Sequence, residues 1–306
     1  MSTSKLWPAD LAEIKRRGEK IAAVTVYDAP GARLADAAGI DVALVGDSVA
    51  MTVLGHDSTV PVTMEEMIML TQAVARGTRR AVVVADMPFG SYQVSNAQAV
   101  EHAVRFVKEG RADAVKLERA GETLARVAAI VDAGIAVVGH IGLTPQSAPL
   151  LGGYKPQGRT AAEARRLYED ARALESAGCA AIVLEAVPAP VAARITSSLR
   201  IPTIGIGSGA ACDGQVLVWH DLLGITPGRT PRFVKRYADL GAAIAAALAA
   251  YVADVRAARF PEPRHTYPMD EAEMALFLGS GGGPDGPPPA PAKPAGERTG
   301  TRRDTE

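Results

Sequence analysis

Short apolar runs recur along this chain, and five of them stop at a polar side chain suited to catalysis. The polar residues that end these runs are Asp47, Asp86, Glu118, His140 and Glu185. A short, continuously apolar run is typical of a strand that is buried on both faces, as in a parallel sheet. Because parallel strands all finish at the same end of a sheet or barrel, we expect these side chains to meet in space.

The spacing of apolar residues also predicts three more strands and the helices that separate them. The additional strands are Ile21–Val26, Ile201–Ile206 and Gln215–Trp219. Helical spacing predicts helices at Ala9–Lys20, Gly31–Ala38, Thr63–Ala75, Asn96–Glu109, Glu122–Ala133, Ala161–Ala177, Pro188–Ser198 and Asp239–Ala258. Four glycines precede strands, and we expect a left-handed helix end at Gly39, Gly110, Gly134 and Gly178.

Alternating strands and helices give the fold class. Eight strands within roughly 200 residues match the usual size of one (β/α)8 TIM barrel, an α/β fold. An open, doubly wound sheet is the alternative. We favour the barrel because carboxylates end so many different strands. The prediction is a single (β/α)8 catalytic domain over residues 1–278, including an N-terminal helix.

Composition changes abruptly after Leu278. Residues 279–306 consist mostly of Gly, Pro, Ala and charged residues, with no Val, Ile, Leu, Met or aromatic residue. Such a segment cannot bury enough apolar surface to offset the entropy lost on ordering. We therefore predict a disordered Gly/Pro-rich C-terminal tail at 279–306 without a catalytic role.

Deleting residues 279–306 should leave activity and melting temperature nearly unchanged, because the segment has no apolar anchor. A thermal melt and a steady-state assay of the truncated chain, beside the full-length chain, measure this. A large loss of activity on truncation would show that the tail has a role that its composition hides.

Overall composition limits the classes of partner. The chain has 306 residues, of which 48% are hydrophobic, and a formal net charge of −1. This length and apolar content suffice for one large core. The near-neutral charge gives no reason to expect nucleic acid or an anionic membrane as a partner. Two cysteines do not make a disulfide framework. The start lacks the apolar core of a signal peptide, and no apolar stretch is long enough to span a bilayer, so we expect a cytoplasmic protein.

Three carboxylates end consecutive strands and predict a metal site. Asp47, Asp86 and Glu118 follow the second, third and fourth strands, whose ends lie about 5 Å apart in a sheet. All-oxygen ligands suit Mg²⁺, Ca²⁺ or Mn²⁺ better than Zn²⁺. The alternative for each carboxylate is a helix cap or an ion pair with a basic residue.

Four more residues near these ends are candidates for binding or catalysis. Lys116 lies two residues before Glu118 and so faces the same side; it contacts substrate oxygens or forms a structural salt bridge. His140 donates to a developing oxyanion or is a satisfied core histidine. Glu185, away from the metal carboxylates, could act as a general base. Ser48 could donate to a substrate carboxylate.

Long loops follow the second and fifth strands, at 46–59 and 143–159. Long loops in compact domains are often lids or binding loops. A glycine-rich stretch at 205–209 follows a strand but lacks the spacing of a dinucleotide site, so we interpret it as tight backbone near a ligand.

Several motifs, taken in order, resemble those of the ketopantoate hydroxymethyltransferase family. The resemblance runs from about Trp7 to His265. It rests on Gly46-Asp47-Ser48, Met51-Thr52-Val53, Gly55-His56-Asp57-Ser58-Thr59, Gly139-His140-Ile141-Gly142-Leu143-Thr144-Pro145-Gln146, Gly152-Gly153-Tyr154-Lys155 and Cys212-Asp213-Gly214-Gln215. Three positions depart from the family pattern, where an aliphatic residue, Ala and an acid are expected: Pro156, Ser208 and Arg264.

The resemblance implies a specific reaction on a barrel of the phosphoenolpyruvate/pyruvate-like type. The family transfers a hydroxymethyl group from 5,10-methylenetetrahydrofolate to 3-methyl-2-oxobutanoate, giving 2-dehydropantoate for pantothenate synthesis. By resemblance, Asp47 and Asp86 ligate Mg²⁺, Glu118 supports it through a water, and the ion stabilises an enolate. Glu185 would take the proton, with Ser48, Lys116 and His140 positioning the oxo acid. Large homo-oligomers, often decamers, are also implied; the folate-contacting residues are not.

Two other functions remain open at this point. The same barrel site resembles that of the phosphoenolpyruvate mutase and isocitrate lyase group, whose lyases use a nucleophilic Cys in a lid loop. Here the lid carries Gly152-Gly153-Tyr154-Lys155 instead. A non-catalytic binding barrel would have lost a ligand or a base, and this chain retains all the expected acids.

Overall fold

The computed structural model describes residues 4–228 and 230–279. Contacts between residues divide the chain into two compact units, Met1–Ala246 and Ala247–Glu306. All but the first residue of the predicted tail at 279–306 lies outside the described residues. The proposed end of the catalytic domain therefore stays a prediction.

The first unit contains a closed barrel of eight parallel strands. Each strand pairs with the next, and β8 pairs with β1. The predicted barrel is thus confirmed, and the doubly wound sheet is wrong. The strands are β1 (Ile21–Thr25), β2 (Val42–Val45), β3 (Val82–Asp86), β4 (Ala114–Glu118), β5 (Ala136–Gly142), β6 (Ala181–Glu185), β7 (Thr203–Ile206) and β8 (Gly214–Leu217).

Helices connect the strands and flank the barrel sequence on both sides. Those predicted from helical spacing are all present, with ends shifted by a few residues. They are α1 (Asp10–Arg16), α2 (Ala29–Ala37), α3 (Val49–Thr52), α4 (Met64–Gly77), α5 (Asn96–Lys108), α6 (Thr123–Asp132), α7 (Ala161–Ser176), α8 (Ala189–Ser198), α9 (Trp219–Leu222), α10 (Leu240–Arg256) and α11 (Glu271–Gly279).

Alternate residues of each strand pack on opposite sides of the barrel wall, as strand geometry requires. In β2, Val42 and Leu44 belong to the cluster inside the barrel, whereas Ala43 and Val45 belong to the cluster that includes the helices. The same alternation places Lys116 of β4 against the apolar interior. A charged side chain therefore enters the barrel from one of its own strands.

Polar residues before two outer helices fix where those helices begin. Thr63 and Glu66 form a capping box at α4, and Thr160 and Glu163 form another at α7. In each box the Thr hydroxyl accepts from a backbone N–H, and the Glu carboxylate accepts from the Thr backbone, so unpaired donors of the first turn are satisfied.

The four glycines predicted to end helices do not all play that part. Gly39, Gly134 and Gly178 have φ angles of 88°, 83° and 98°, which confirms the prediction for them. The prediction for Gly110 is wrong, because the left-handed residue after α5 is Arg111, with φ of 62°. A Cβ on Gly110 would lie 2.5 Å from the carbonyl oxygen of Phe106. Glycine is required at position 110 because a side chain would clash with this oxygen, and not because of the backbone conformation.

The sequence pattern misplaced the end of the last strand. β8 ends at Leu217, and Trp219 begins the short helix α9. The Trp219 N–H donates to Thr25 Oγ1 at 3.0 Å and so ties α9 to the end of β1. This turn depends on a partner almost two hundred residues away, which the local apolar pattern does not encode. The pattern also missed α3 and α11.

Among the described helices, none combines the length and the apolar character needed to cross a membrane.

Candidate active site

A cavity of about 480 Å³ opens at the carboxyl ends of the barrel strands. The loops after β2 and β5 border it, and the Tyr154 hydroxyl of one contacts Met51 Sδ of the other at 3.9 Å. The strand ends thus bring together all seven side chains for which the sequence suggested chemistry: Asp47, Ser48, Asp86, Lys116, Glu118, His140 and Glu185.

Asp47 and Asp86 lie side by side at the base of the cavity. Asp86 is the last residue of β3, and Asp47 follows β2 by two residues. The Asp47 backbone N–H donates to Asp86 Oδ2 at 3.0 Å. Burial, and then the negative charges of Asp86 and Glu118, raise the pKa of Asp47 well above its usual value. The base of the cavity therefore favours a bound cation.

Lys116 forms an ion pair with one of these carboxylates. Its Nζ lies 2.9 Å from Asp86 Oδ1, and both side chains are almost fully buried. Burial lowers the pKa of Lys116, but the carboxylates of Asp86, Glu118 and Asp47 outweigh it, and the pKa is raised above its usual value. Lys116 is thus a permanent cation in the site. The salt bridge considered from the sequence exists, and it lies within the cavity lining.

His140 lies between two carboxylates on neighbouring strands. Its Nδ1 is 3.3 Å from Glu118 Oε1, and its Nε2 is 3.2 Å from Glu185 Oε2. Burial and the charge of Lys116 lower the pKa of His140, but hydrogen bonds to Glu118 and Glu185 outweigh them and raise it to about 9. The ring is therefore cationic at neutral pH and orients the carboxylate of Glu185.

Gln146 is a functional residue that the sequence reasoning missed. It lies in a 3-10 turn after β5. Its Nε2 donates to Asp47 Oδ2 at 3.0 Å and to the Met87 carbonyl at 2.9 Å, and its backbone N–H donates to Glu118 Oε2 at 3.0 Å. Its Oε1 accepts from the Tyr92 hydroxyl at 2.6 Å. Gln146 thus fixes two of the carboxylates. Its place at the end of the motif that begins at Gly139 was the sequence signal that could have identified it as a functional residue.

Replacing Tyr92 with phenylalanine should lower stability by about 1–3 kcal/mol, because buried polar atoms of Gln146 and Glu118 lose a partner. The Tyr92 hydroxyl donates to Gln146 and accepts from the Glu118 N–H at 3.3 Å. A denaturant melt measures the change, with Tyr154→Phe as the control because Tyr154 is exposed. Equal stability of the two variants would contradict the support role of Tyr92.

Ser48, the residue after Asp47, belongs to a hydroxyl network in the cavity lining. Its Oγ and the Tyr27 hydroxyl are 2.9 Å apart, and Thr25 Oγ1 donates to the same hydroxyl at 2.8 Å. A Cβ on Gly46 would lie 2.8 Å from Ser48 Oγ. Glycine at position 46 therefore leaves enough space for the Ser48 hydroxyl to face the cavity.

Several carboxylate oxygens suit a hard cation. Asp86 Oδ1 and Glu118 Oε1 are buried, and each faces a basic side chain: Asp86 Oδ1 lies 2.9 Å from Lys116 Nζ, and Glu118 Oε1 lies 3.3 Å from His140 Nδ1. At the strand ends, these two carboxylates and those of Asp47 and Glu185 lie beside the two cationic side chains of Lys116 and His140, so a divalent ion would balance the charge of this group. No three His, Cys, Asp or Glu side chains in residues 4–228 and 230–279 already surround one point as ligands. Water would have to complete the coordination shell.

One of the three departures from the family pattern lies behind this site. Ser208 is fully buried, and its Oγ donates to the Leu184 carbonyl at 2.7 Å and accepts from the Val187 N–H at 3.1 Å. These bonds hold the backbone on both sides of Glu185. The other departures lie elsewhere: Arg264 pairs with Glu262 at 2.9 Å, and Pro156 lies in the loop after β5.

Known proteins resemble this chain in sequence and in fold. 3-Methyl-2-oxobutanoate hydroxymethyltransferase from Carboxydothermus hydrogenoformans is 58% identical over 85% of this chain and 95% of its own length. The crystal structure of 2,3-dimethylmalate lyase, a PEP mutase/isocitrate lyase superfamily member, shares the fold with a TM-score of 0.56 at 18% identity, over 90% of this chain and 100% of the lyase. Phosphonopyruvate hydrolase, solved with oxalate and Mg²⁺, gives 0.54 at 13% identity, over 90% and 95%.

The sequence profile of one family matches residues 5–263, which include every side chain of the cavity described above. The chain belongs to the ketopantoate hydroxymethyltransferase family.

Proposed function

We propose that this protein is an enzyme, a 3-methyl-2-oxobutanoate hydroxymethyltransferase of pantothenate biosynthesis. The observation that supports this most directly is the 58% identity to a protein of that name over 85% of the chain. The complete set of acids expected for the family, gathered in one cavity, agrees with it. The two substrates are 3-methyl-2-oxobutanoate and 5,10-methylenetetrahydrofolate.

The overall reaction defines what the side chains have to do. The C3–H bond of the oxo acid breaks, C3 forms a bond to the one-carbon unit, and the bonds from that carbon to the folate nitrogens break. Water supplies the hydroxyl oxygen, and 2-dehydropantoate and tetrahydrofolate leave. The protein therefore has to remove one proton, stabilise the charge that develops on the oxo group, and hold two substrates together.

Asp47 and Asp86 are the proposed direct ligands of Mg²⁺, with Glu118 acting through a water. The gathering of these buried carboxylates at the base of one cavity supports this assignment, as does the phosphonopyruvate hydrolase of the same fold that was solved with Mg²⁺. A bound Mg²⁺ would supply Lewis-acid polarisation of the oxo group and so make the neighbouring C–H more acidic. Gln146 keeps one oxygen of Asp47 engaged and so selects which oxygen faces the cavity.

Glu185 is the proposed base that takes the C3 proton. It ends β6, and its carboxylate is held by His140 Nε2 at 3.2 Å. The side chain is 16% exposed, compared with 2% for Glu118, so Glu185 is the more accessible of these two carboxylates to a substrate. His140 also fixes the position of the carboxylate that is to receive the proton.

Lys116, Ser48 and His140 are the proposed groups that position the oxo acid. Lys116 supplies a buried positive charge, and Ser48 supplies a hydroxyl that lines the same cavity. Both suit the negatively charged oxygens of a 2-oxo acid. Because both ring nitrogens of His140 face carboxylates, its contribution is through charge and through Glu185.

A lyase or mutase of the PEP mutase/isocitrate lyase group is the second candidate. Proteins of that group share the fold at identities of 18% and below. The loop after β5 carries Gly152, Gly153, Tyr154 and Lys155, without the lid cysteine that such a lyase would use. Hydroxymethyl transfer is therefore the better-supported function.

The family resemblance also implies a homo-oligomer, which we propose here. Helix α10, all of which the structure describes, has no buried residue although Asp254 and Arg256 are its only charged residues. An apolar helix of this kind is normally covered, and further copies of the chain would cover it. Native mass spectrometry tests the assembly and its size; a monomer would contradict it.

We place the enzyme in the cytoplasm, where its two free, buried cysteines would remain reduced.

One assay tests the proposed function. The purified chain is incubated with 3-methyl-2-oxobutanoate and methylenetetrahydrofolate, with and without Mg²⁺, and 2-dehydropantoate is measured by mass spectrometry. We expect product only when both substrates and the metal are present. A protein that cleaves a 2-hydroxy diacid and leaves the folate unchanged would favour the lyase.

A further inference from the structure

The family resemblance leaves open which residues hold the folate, and the cavity contains a carboxylate that the proposed chemistry does not use. Asp221 of α9 lines the same cavity as Asp47 and Glu185. Thr226 Oγ1 donates to its Oδ1 at 2.8 Å. Each carboxylate oxygen has two acceptor positions, so this one hydrogen bond leaves Asp221 free to accept two more from a ligand.

The segment that follows α9 forms an apolar and basic wall beside Asp221. Phe233 and Pro231 line the cavity together with Asp221. The Tyr237 N–H donates to the Leu222 carbonyl at 2.8 Å, which fastens this segment to α9. Gly207 of the β7 end has φ of 68°, and a Cβ there would lie 2.9 Å from the Phe233 ring. The glycine thus leaves room for the ring at the cavity wall.

The charge of this wall is opposite to that of the cavity base. Between Leu222 and Ala238 the residues that the structure describes include Arg232, Lys235 and Arg236 and no acidic residue. Arg232 and Lys235, which flank Phe233, are both exposed, and Lys235 lies over the Tyr237 ring at 4.6 Å. A ligand that enters along this wall therefore meets cations outside, an aromatic ring at the rim and a carboxylate within.

We propose that this wall is the folate subsite, an inference that rests on the proposed function. A reduced pterin ring presents an N–H and an amino group on one edge, and a carboxylate accepts both at once. Asp221 would take that edge, Phe233 would pack against the ring, and Arg232 and Lys235 would face the glutamate carboxylates. The one-carbon unit is attached next to the pterin ring, so the pterin end has to lie inside the cavity and the glutamate end outside, which is the order that the wall offers.

Asp221→Asn tests the inner contact, because it keeps size and the bond to Thr226 but removes the second acceptor. We expect the Kd for tetrahydrofolate, measured by calorimetry, and the KM for methylenetetrahydrofolate to rise about tenfold to a hundredfold. Asp57→Asn is the matched control, because Asp57 is an exposed carboxylate of the same cavity. A normal Kd in Asp221→Asn, or the larger effect in Asp57→Asn, would overturn the subsite.

A second readout separates failure of the subsite from failure of the proposed function. Exchange of the C3 proton of 3-methyl-2-oxobutanoate in D₂O needs no folate, so Asp221→Asn should exchange at the parent rate, which also shows that it is folded. If the parent chain neither exchanges this proton nor binds tetrahydrofolate, the proposed function itself is wrong. If the parent does both and the variant binds tetrahydrofolate equally well, only the subsite is wrong.

The outer contact has its own test. Changing both Arg232 and Lys235 to Glu should weaken binding of the triglutamate form of tetrahydrofolate much more than binding of 6-methyltetrahydropterin, which lacks the glutamate tail. Because exposed charges act over a short screened distance, the difference should shrink at high salt. Equal losses for both ligands would contradict the assignment of these cations to the tail.

Discussion

Replacing Asp86 with alanine, or Asp47 with alanine, should abolish measurable turnover and weaken binding of both Mg²⁺ and the oxo acid. Each change removes a carboxylate from the base of the cavity, and Asp86→Ala also leaves the buried Lys116 without its ion pair. Calorimetric titration with Mg²⁺, in the absence of substrates, measures the metal site directly. EDTA should have the same effect on the parent chain, and added Mg²⁺ should restore its activity.

A control variant separates loss of the ion from loss of the fold. Asp57→Asn changes another carboxylate of the cavity lining that is exposed, and its Mg²⁺ affinity should equal that of the parent. Circular dichroism of the Asp47 and Asp86 variants reports whether the barrel is intact. Full activity of the parent after exhaustive chelation would refute the metal assignment.

Replacing Glu185 with glutamine should lower turnover by about 10²–10⁴-fold, the usual cost of removing a positioned base. Glutamine keeps the size of the side chain and can still accept from His140 Nε2, which lies 3.2 Å from the carboxylate. It cannot take a proton. Binding of Mg²⁺ and of the oxo acid should survive, because Glu185 is not assigned to the ion.

The decisive measurement for Glu185 is proton exchange at C3 of 3-methyl-2-oxobutanoate in D₂O without folate. The parent should catalyse this exchange, and the Glu185→Gln variant should not, even when calorimetry shows that the oxo acid is bound. Exchange at the parent rate in the variant would mean that another group is the base. His140, whose ring lies 3.2 Å from Glu185, could then be the base only after its cationic ring had lost a proton.

The strand ends show why so much of the site could be predicted. Each of β3, β4 and β6 is a short apolar run whose last residue is a carboxylate, and parallel pairing alone brings those residues to one end of the barrel. The order of strands followed from the same argument. The positions of Asp86, Glu118 and Glu185 in one cavity thus needed only the local pattern and the closure of the sheet.

Contacts between distant segments could not be predicted in this way. Gln146 bonds to Asp47 across a separation of 99 residues, and nothing in the local sequence of either residue specifies the other. The β8 end is another case, because Trp219 leaves the strand to donate to Thr25. The apolar pattern predicts which residues are buried. It does not predict the hydrogen-bond partners that decide where a buried strand ends.

Lys116 illustrates how sequence and tertiary structure divide the information. Strand periodicity showed that Lys116 and Glu118 share a face. It did not decide whether the lysine contacts substrate oxygens or forms a structural salt bridge. In the structure it pairs with Asp86 of the neighbouring strand at 2.9 Å and also lies near His140 Nδ1 at 3.3 Å. The carboxylates around Lys116 raise its pKa. Only the closed barrel brings these carboxylates together.

The amino-acid sequence by itself determined the barrel and the residue types at the strand ends, because burial on both faces imposes a continuous apolar pattern that ends in polar residues. The family followed separately, from the resemblance of several motifs. The tertiary structure alone decided which atoms of those residues meet. Hydrogen bonds of about 3 Å require positions set by several strands and loops at once, as in the contacts of Gln146 with Asp47 and Glu118, and no single segment of the chain carries that information.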